Sequence, residues 1–347
     1  MAKLSVVILN WNGLSFLKKF IPEVVRTSNI PGVEVVVADN GSADESLLWL
    51  KTNFPSVKTI ELDKNYGFTG GYNRALKEIT SEYYLILNSD VNPTDGWLEP
   101  LITLMDDQSD VAACMPKIRS YGNPSLFEYA GAAGGFIDRF GFPFCRGRIL
   151  SNVEQDFGQY DNQSEIFWAT GACMMVRSSA YWEADGFDEF FFAHMEEIDL
   201  CWRLKNLGYK IMYVGKSTVF HVGGGTLPNN NPRKLFLNYR NNLILLVKNL
   251  PSGLLVTTLL FRIFMDLAAA IVFLLTGKTS FFAAIIKAYW EFYKHSIYYK
   301  NLRKKLSHPR RNTLHKEIFK GSIIFEFFLK KNKTFSSINY FRKQQPF

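Results

Sequence analysis

The run Leu4-Ser5-Val6-Val7-Ile8-Leu9, leading into Asn10-Trp11-Asn12-Gly13, decides the fold. An apolar, largely β-branched run bounded by turn residues reads as a strand buried on both faces, and such strands belong to parallel sheets covered by helices. After the turn, Phe16, Leu17, Phe20 and Ile21 recur at helical spacing. The alternation then repeats. Val33 to Val37 runs into Ala38-Asp39-Asn40-Gly41-Ser42 and a helix, Val57 to Leu62 into a glycine-rich turn and a helix, and Tyr83-Tyr84-Leu85-Ile86-Leu87 into Asn88-Ser89-Asp90. Strands alternating with helices at this spacing predict a parallel, doubly wound α/β sheet with ligands at the carboxyl ends of its strands.

The polar residues gather at those ends: Asn10 and Asn12 after the first strand, Asp39 after the second, Asn65 after the third, and Asn88, Ser89 and Asp90 after the fourth. Asn, Asp, Ser and Gly are also turn formers, but four such ends in succession point to one polar site. A carboxylate at Asp39 can accept the N3–H of uracil or thymine. In Asn65-Tyr66-Gly67-Phe68-Thr69-Gly70-Gly71-Tyr72-Asn73-Arg74-Ala75, glycines before a helix let the backbone approach a phosphate. The loop is neither GxGxxG after the first strand nor GxxxxGK[ST], so hydride-transfer cofactors and P-loop chemistry are unsupported. Asp90 can offer carboxylate oxygen to a hard divalent cation that keeps waters and phosphates as its other ligands. His221, between a strand-like run from Tyr213 and the glycines at 223–225, reads equally as a ligand or as a structural imidazole.

A second decisive stretch is Gly186-Phe187-Asp188-Glu189-Phe190-Phe191-Phe192-Ala193-His194-Met195-Glu196-Glu197-Ile198-Asp199-Leu200-Cys201-Trp202-Arg203, which sets five carboxylates among aromatic residues. Apolar surroundings and adjacent acids both disfavour ionisation, so at least one of Glu196 and Glu197 should have the raised pKa of a general base. Read locally, the same acids begin a helix whose dipole favours anions in its first turn.

At 347 residues and 47% apolar content the chain can fill one large domain or two ordinary ones. Cys114, Cys145, Cys173 and Cys201 show no CxxC spacing, so neither a zinc site nor a disulfide framework is indicated, and a reducing compartment fits. No signal peptide is expected, which places the catalytic part in the cytoplasm. The net charge of +8 resides in the tail: Asn301 to Phe347 holds twelve Lys/Arg against Glu317 and Glu326. With apolar segments before it, that tail suits an anionic membrane surface, and no nucleic-acid module is present.

The motifs Val6 to Gly13, Val37 to Ser42, Asn65 to Asn73 and Leu87 to Val91 resemble the nucleotide-sugar half of family 2 glycosyltransferases with the GT-A fold, a mixed sheet flanked by helices. Ala169-Thr170-Gly171-Ala172, the Glu196-Glu197 stretch and His221-Val222-Gly223-Gly224 resemble the acceptor half, and the non-processive, rhamnosyltransferase-like branch of bacterial cell-surface polysaccharide assembly is the most similar. The resemblance implies a catalytic domain over 1–250, with 1–100 its nucleotide-sugar half and 101–250 its acceptor half. It implies a donor site of Asn10, Asn12, Asp39, Asn65, Gly67, Asn73, Asn88, Ser89, Asp90, Gly171 and Ala172, with Asp39 on a pyrimidine base. The donor would be a UDP- or dTDP-sugar, and the acceptor a saccharide, lipid-linked. Asp90 matches the last acid of a DXD-type motif that binds Mg2+ or Mn2+. The first acid is Asn88 here, so one firm carboxylate ligand remains, joined by His221. The catalytic acid falls at Glu197, where the family usually has Asp, with Glu196 as the fallback. Transfer would be a single inverting displacement. The Gln-x-x-Arg-Trp sequence of processive synthases is absent, and Trp202-Arg203 is its nearest echo. The substitutions at 88 and 197 leave a competing reading, a catalytically silent sugar-nucleotide- or polysaccharide-binding subunit.

Three further expectations concern the rest of the chain. Residues 117–166, rich in Gly and Phe, read as a flexible loop that orders over the acceptor, and Trp168 and Trp202 as candidates to face it. Leu254 to Leu275 is long enough to cross a bilayer but contains Arg262 and Asp266, spaced to pair on one helix face. One crossing would also carry the basic tail over, against the positive-inside tendency. Residues 251–347 are therefore expected to lie in the interface at the cytoplasmic face of the membrane, with a single transmembrane helix as the alternative.

Overall fold

The computed structural model describes residues 2–223, 231–306 and 314–339. The first half alternates as the sequence predicts: β1 (Ala2–Asn10), α1 (Leu14–Thr27), β2 (Val33–Asp39), α2 (Ser46–Asn53), β3 (Lys58–Glu61), α3 (Gly67–Lys77) and β4 (Ser81–Asn88). Leu17, Phe20, Ile21 and Val24 of α1 are buried at the spacing that puts them on one helix face. After β4 come β5 (Val91–Pro93), α4 (Glu99–Asp107), β6 (Val111–Ser120), β7 (Gly135–Asp138), β8 (Pro143–Cys145), β9 (Arg148–Ile149), β10 (Asn152–Val153), β11 (Ser164–Ile166) and β12 (Cys173–Arg177). The chain continues through α5 (Ser178–Glu183), α6 (Glu196–Leu207), β13 (Lys210–His221) and α7 (Pro232–Asn249).

The main sheet runs β11-β13-β6-β12-β4-β1-β2-β3, with β5 on β13. Strands β3, β2, β1 and β4 are mutually parallel, while β12 enters antiparallel between β4 and β6. The sheet is therefore mixed. Register pairs Asn10 with Asp39 and Leu9 with Asn88, which brings the carboxyl ends of three strands level.

Residues 117–166 are not a flexible loop. They end β6 and then build a second sheet, β10-β9-β8-β7-β14, whose last strand, β14 (Ile318–Phe319), comes from the far end of the chain. The glycines there serve close packing: a Cβ on Gly135 would stand 2.1 Å from the Trp168 ring. Phe136, Phe144 and Tyr160 ring Phe335, which is fully buried. Residues 318–335 thus pack into the second sheet, across the boundary expected at residue 250. Parts of the basic tail, 307–313 and 340–347, lie outside the described residues, as do Gly224 and Gly225.

Beyond α7 lie α8 (Ser252–Leu275), α9 (Thr279–Lys294), α10 (Ser296–Lys305) and, after β14, α11 (Ile323–Phe328). Among the described residues α8 alone is long and apolar enough to cross a membrane. Its buried side chains include Arg262 and Asp266, paired at 3.1 Å, and Asp266 also accepts a hydrogen bond from Tyr289 of α9 at 2.8 Å. The polar pair thus faces the protein. Leu260, Phe264 and Leu275 of α8 and Trp290 of α9 are exposed.

Candidate active site

The loops after β1 and β2 are stitched by their own side chains. Asn10 Nδ2 donates to Asp39 Oδ1 (3.1 Å) and Ser42 Oγ (3.2 Å), and Asp39 Oδ2 accepts from the Ser42 amide (2.9 Å). Asn12, in the left-handed region at φ 49°, accepts from the Ala43 amide at 2.7 Å. Asn10 Oδ1 is buried without a hydrogen-bond partner. Asn65 Oδ1 is taken by the Gly67 amide (2.7 Å) and by Asn40 (3.1 Å), a residue that sequence reasoning did not single out. Asn40 also donates to Gly67 O and accepts from the Tyr66 amide, so it holds the third loop to the second.

The glycine-rich loop does not offer its helix N-terminus to phosphate. Gly67 sits at φ 72° with no room for a Cβ against the Phe192 ring, and Phe192 O accepts from the amides of Phe68 (2.8 Å) and Thr69 (3.3 Å). The first donors of α3 are therefore capped by the Phe192 carbonyl. Asn73 is likewise structural: its amide bonds Phe187 O, the Phe187 amide and the Tyr181 hydroxyl.

At the end of β4 three side chains converge from distant positions. Asp90 Oδ1 lies 3.1 Å from His221 Nε2, and Asn88 Nδ2 lies 3.4 Å from the same nitrogen. Pairing of β5 with β13 sets Val91 opposite His221, which makes the meeting a matter of register. Glu128, from the stretch expected to be a loop, stands 3.6 Å from His221 Nδ1. Burial pulls the His221 imidazolium down, but the Asp90 hydrogen bond and the nearby Glu128 carboxylate outweigh it and hold the group at about 10. Ser89 Oγ lies 3.8 Å from where a Cβ on Gly13 would stand, on the side of the Asn10 carbonyl. Among the described residues no group of three His, Cys, Asp or Glu has metal-holding geometry.

Ala172 O accepts from the Asn88 amide at 2.9 Å, which brings Thr170-Gly171-Ala172 beside the end of β4. A Cβ on Gly171 would lie 3.2 Å from the Phe68 ring and 3.8 Å from Glu197 Cβ, so this glycine stands between the donor loop and the acid pair. Glu196 is buried and its carboxyl is pushed well up by burial, then by the charges of Glu197 and Asp199. Glu197 keeps a solvent-facing edge, yet its Oε2 is enclosed without a partner. Burial raises it to about 7, against backbone amides at the start of α6 that favour the anion. Asp199 differs: burial would raise it, but Lys248 and Arg203 hold it low.

Trp168 and Trp202, expected to face an acceptor, are packed within the protein. Trp168 donates to Phe136 O at 2.9 Å over Gly135, and Trp202 packs edge-on against Phe167; both are buried.

Residues 5–184 match the family model for glycosyl transferase family 2. The N-acetylglucosaminyl-diphospho-decaprenol L-rhamnosyltransferase of Mycobacterium tuberculosis is 25% identical over 232 residues, which cover 63% of this chain and 75% of that protein. The crystal structure of GalNAc-T7 with UDP, GalNAc and Mn2+ superposes with a TM-score of 0.58 at 16% identity, over 73% of this chain and about half (49%) of that one. Mannosyltransferase PcManGT from Pyrobaculum calidifontis, in complex with GDP-Man and Mn2+, gives 0.51 at 12% identity, over 88% and 84%. These likenesses show the fold, and the matched model, which spans more than half of the chain, shows that this protein is a glycosyltransferase of family 2.

Proposed function

We propose that the protein transfers a single sugar from a UDP- or dTDP-activated donor to a hydroxyl of a lipid-linked saccharide, with inversion, and that Glu197 is the base. One observation carries this reading: a half-buried carboxyl held at about 7 lies across Gly171 from the donor loop, with an unpartnered oxygen. A base poised near working pH is ionised in about half of the molecules, and is basic enough to take a hydroxyl proton. As the acceptor oxygen attacks the anomeric carbon its proton passes to Glu197, and the bond to the diphosphate breaks on the opposite face. One displacement inverts the centre.

Asp90 Oδ1 and His221 Nε2, 3.1 Å apart, would hold Mg2+ or Mn2+ as a pair of protein donors once the cation displaces the proton that Asp90 otherwise keeps on the imidazole, and waters and substrate phosphates would fill the remaining positions. A cation held there would neutralise charge on the leaving diphosphate. Asp39, near the unpartnered Asn10 Oδ1, is the group for the pyrimidine.

The exposed apolar faces of α8 and α9, with Arg262 and Asp266 turned inward and Asp266 bonded to Tyr289, favour helices lying on the cytoplasmic membrane surface over a crossing. A crossing by α8 would drag α9, with Lys287, Glu291 and Lys294, into hydrocarbon. A relative named for a decaprenol-linked substrate supports a lipid-linked acceptor.

The test is calorimetric titration with UDP-, dTDP-, GDP- and CMP-sugars, with and without Mn2+ or Mg2+. Tighter UDP or dTDP binding with metal, lost in Asp90→Ala, is expected. Preference for GDP or CMP would refute the role of Asp39, and donor binding without any metal-dependent hydrolysis would favour a silent sugar-nucleotide-binding subunit.

A further inference from the structure

Three of the four residues before α6 carry an unfavourable backbone: Phe192, His194 and Met195 have φ of 64°, 70° and 69°. A side chain with a Cβ resists this region, so it persists only where the surroundings impose it. Here the constraint is one amide. Asn241, fully buried on α7, aims Nδ2 at the carbonyls of Phe191 (3.0 Å), Ala193 (2.9 Å) and His194 (2.7 Å). Its Oδ1 accepts from Nε (2.9 Å) and Nη2 (2.8 Å) of Arg240, which fixes the amide the right way round. Arg240 Nη2 also donates to Phe190 O at 2.9 Å.

The same helix grips the segment on the far side of the acid pair. Lys248 Nζ bonds Asp188 (2.7 Å) and Asp199 (2.8 Å), and Asn249 Nδ2 bonds Asp199 at 2.8 Å. Glu197 thus hangs between two attachments to α7. The loop held by Asn241 also places Phe192 O on the amides of Phe68 and Thr69, so one device fixes both the base and the entrance of the donor loop.

Resting on the reading of Glu197 as base, we propose that Asn241 is a positioning residue for the transfer: it holds residues 191–194 so that Glu197 reaches the acceptor hydroxyl over Gly171. The requirement is for a donor. Aspartate has the shape of asparagine but would set a carboxylate against three carbonyl oxygens.

The experiment measures Mn2+-dependent hydrolysis of UDP-glucose, UDP-N-acetylglucosamine and dTDP-rhamnose by the full chain, with donor binding by calorimetry and Tm recorded for each variant. Asn241→Asp is expected to lower kcat about tenfold to a hundredfold while donor Kd moves by less than about threefold, since a displacement of an ångström at a reacting group has that effect. The pH at which activity rises should fall below the wild-type value as the base gains water. In a Glu197→Gln background the Asn241 change should produce no further loss, because it acts through that carboxylate. Asn241→Ser, which keeps a small donor, puts the same question if the Asp variant does not fold. An unaltered kcat, or a loss that persists undiminished in the Glu197→Gln background, overturns the inference while Glu197→Gln inactivity leaves the base assignment standing. Full activity in Glu197→Gln would instead overturn the base assignment and this inference with it.

Discussion

Replacing Glu197 by Gln is expected to slow turnover sharply and stabilise the protein together. The carboxyl, ordinarily at 4.5, is held at about 7 because the folded protein buries it. The folded state therefore binds its proton more tightly than the unfolded chain does. Stability is complete below 4.5 and is lost as pH rises through about 7. At about 1.4 kcal/mol per pH unit, the anion destabilises the fold by about 3 kcal/mol at pH ~8 and by about 1 kcal/mol at pH ~5. Glutamine of the same shape escapes this penalty. Unfolding entropy near 2.1 cal/mol/K per residue amounts to about 0.7 kcal/mol/K for this chain, so Tm should rise by about 4 °C at the higher pH and about 1 °C at the lower. Scanning calorimetry at both values reads the difference, and donor hydrolysis should fall about a hundred- to ten-thousand-fold. A Tm at pH ~8 equal to or below the wild type, or a gain as large at pH ~5, would refute the reasoning.

Wild-type activity should rise with pH through about 7, the value at which Glu197 gives up its proton, and Glu197→Asp should keep that limb at reduced kcat because its carboxyl is set back by one methylene. Lys248→Met leaves Asp188 and Asp199 buried without their shared cation and should cost about 3 kcal/mol, read by urea denaturation. Phe335→Ala removes a fully buried ring from the second sheet and should cost about 3–5 kcal/mol in the same assay, although the residue lies far along the chain from β7. Vesicles containing anionic lipid should bind the wild type on flotation and release it at high salt, and Phe264→Glu with Trp290→Glu should abolish binding while leaving Tm unchanged.

The gathering of polar residues at the strand ends was legible because it is local. Asn10, Asp39 and Asn88 each follow an apolar run directly, and parallel register brings them level. The acid pair was legible from aromatic neighbours that are adjacent in sequence. Asn73 and the start of α3 misled for the same reason: the pattern showed a polar residue and a glycine-rich helix start, but their partners, Phe187, Tyr181 and the Phe192 carbonyl, come from the other half of the chain. Glu128 and Asn241 went unread because nothing near them in sequence marks them. Glycine and phenylalanine in 117–166 described close packing as well as they described a loop, and only the arrival of β14 and Phe335 distinguishes the two.

By itself the sequence determined the α/β alternation, the strand ends that carry polar groups, the family resemblance and the acid pair, because periodicity, turn chemistry and burial by immediate neighbours act over a few residues. Only the tertiary structure decided which of those polar groups remain free. Hydrogen-bond capacity is finite, and a partner from another part of the chain can saturate it: Phe192 O closes the end of α3, Lys248 and Arg203 hold Asp199 ionised, and Glu197 is left raised, with one oxygen unclaimed.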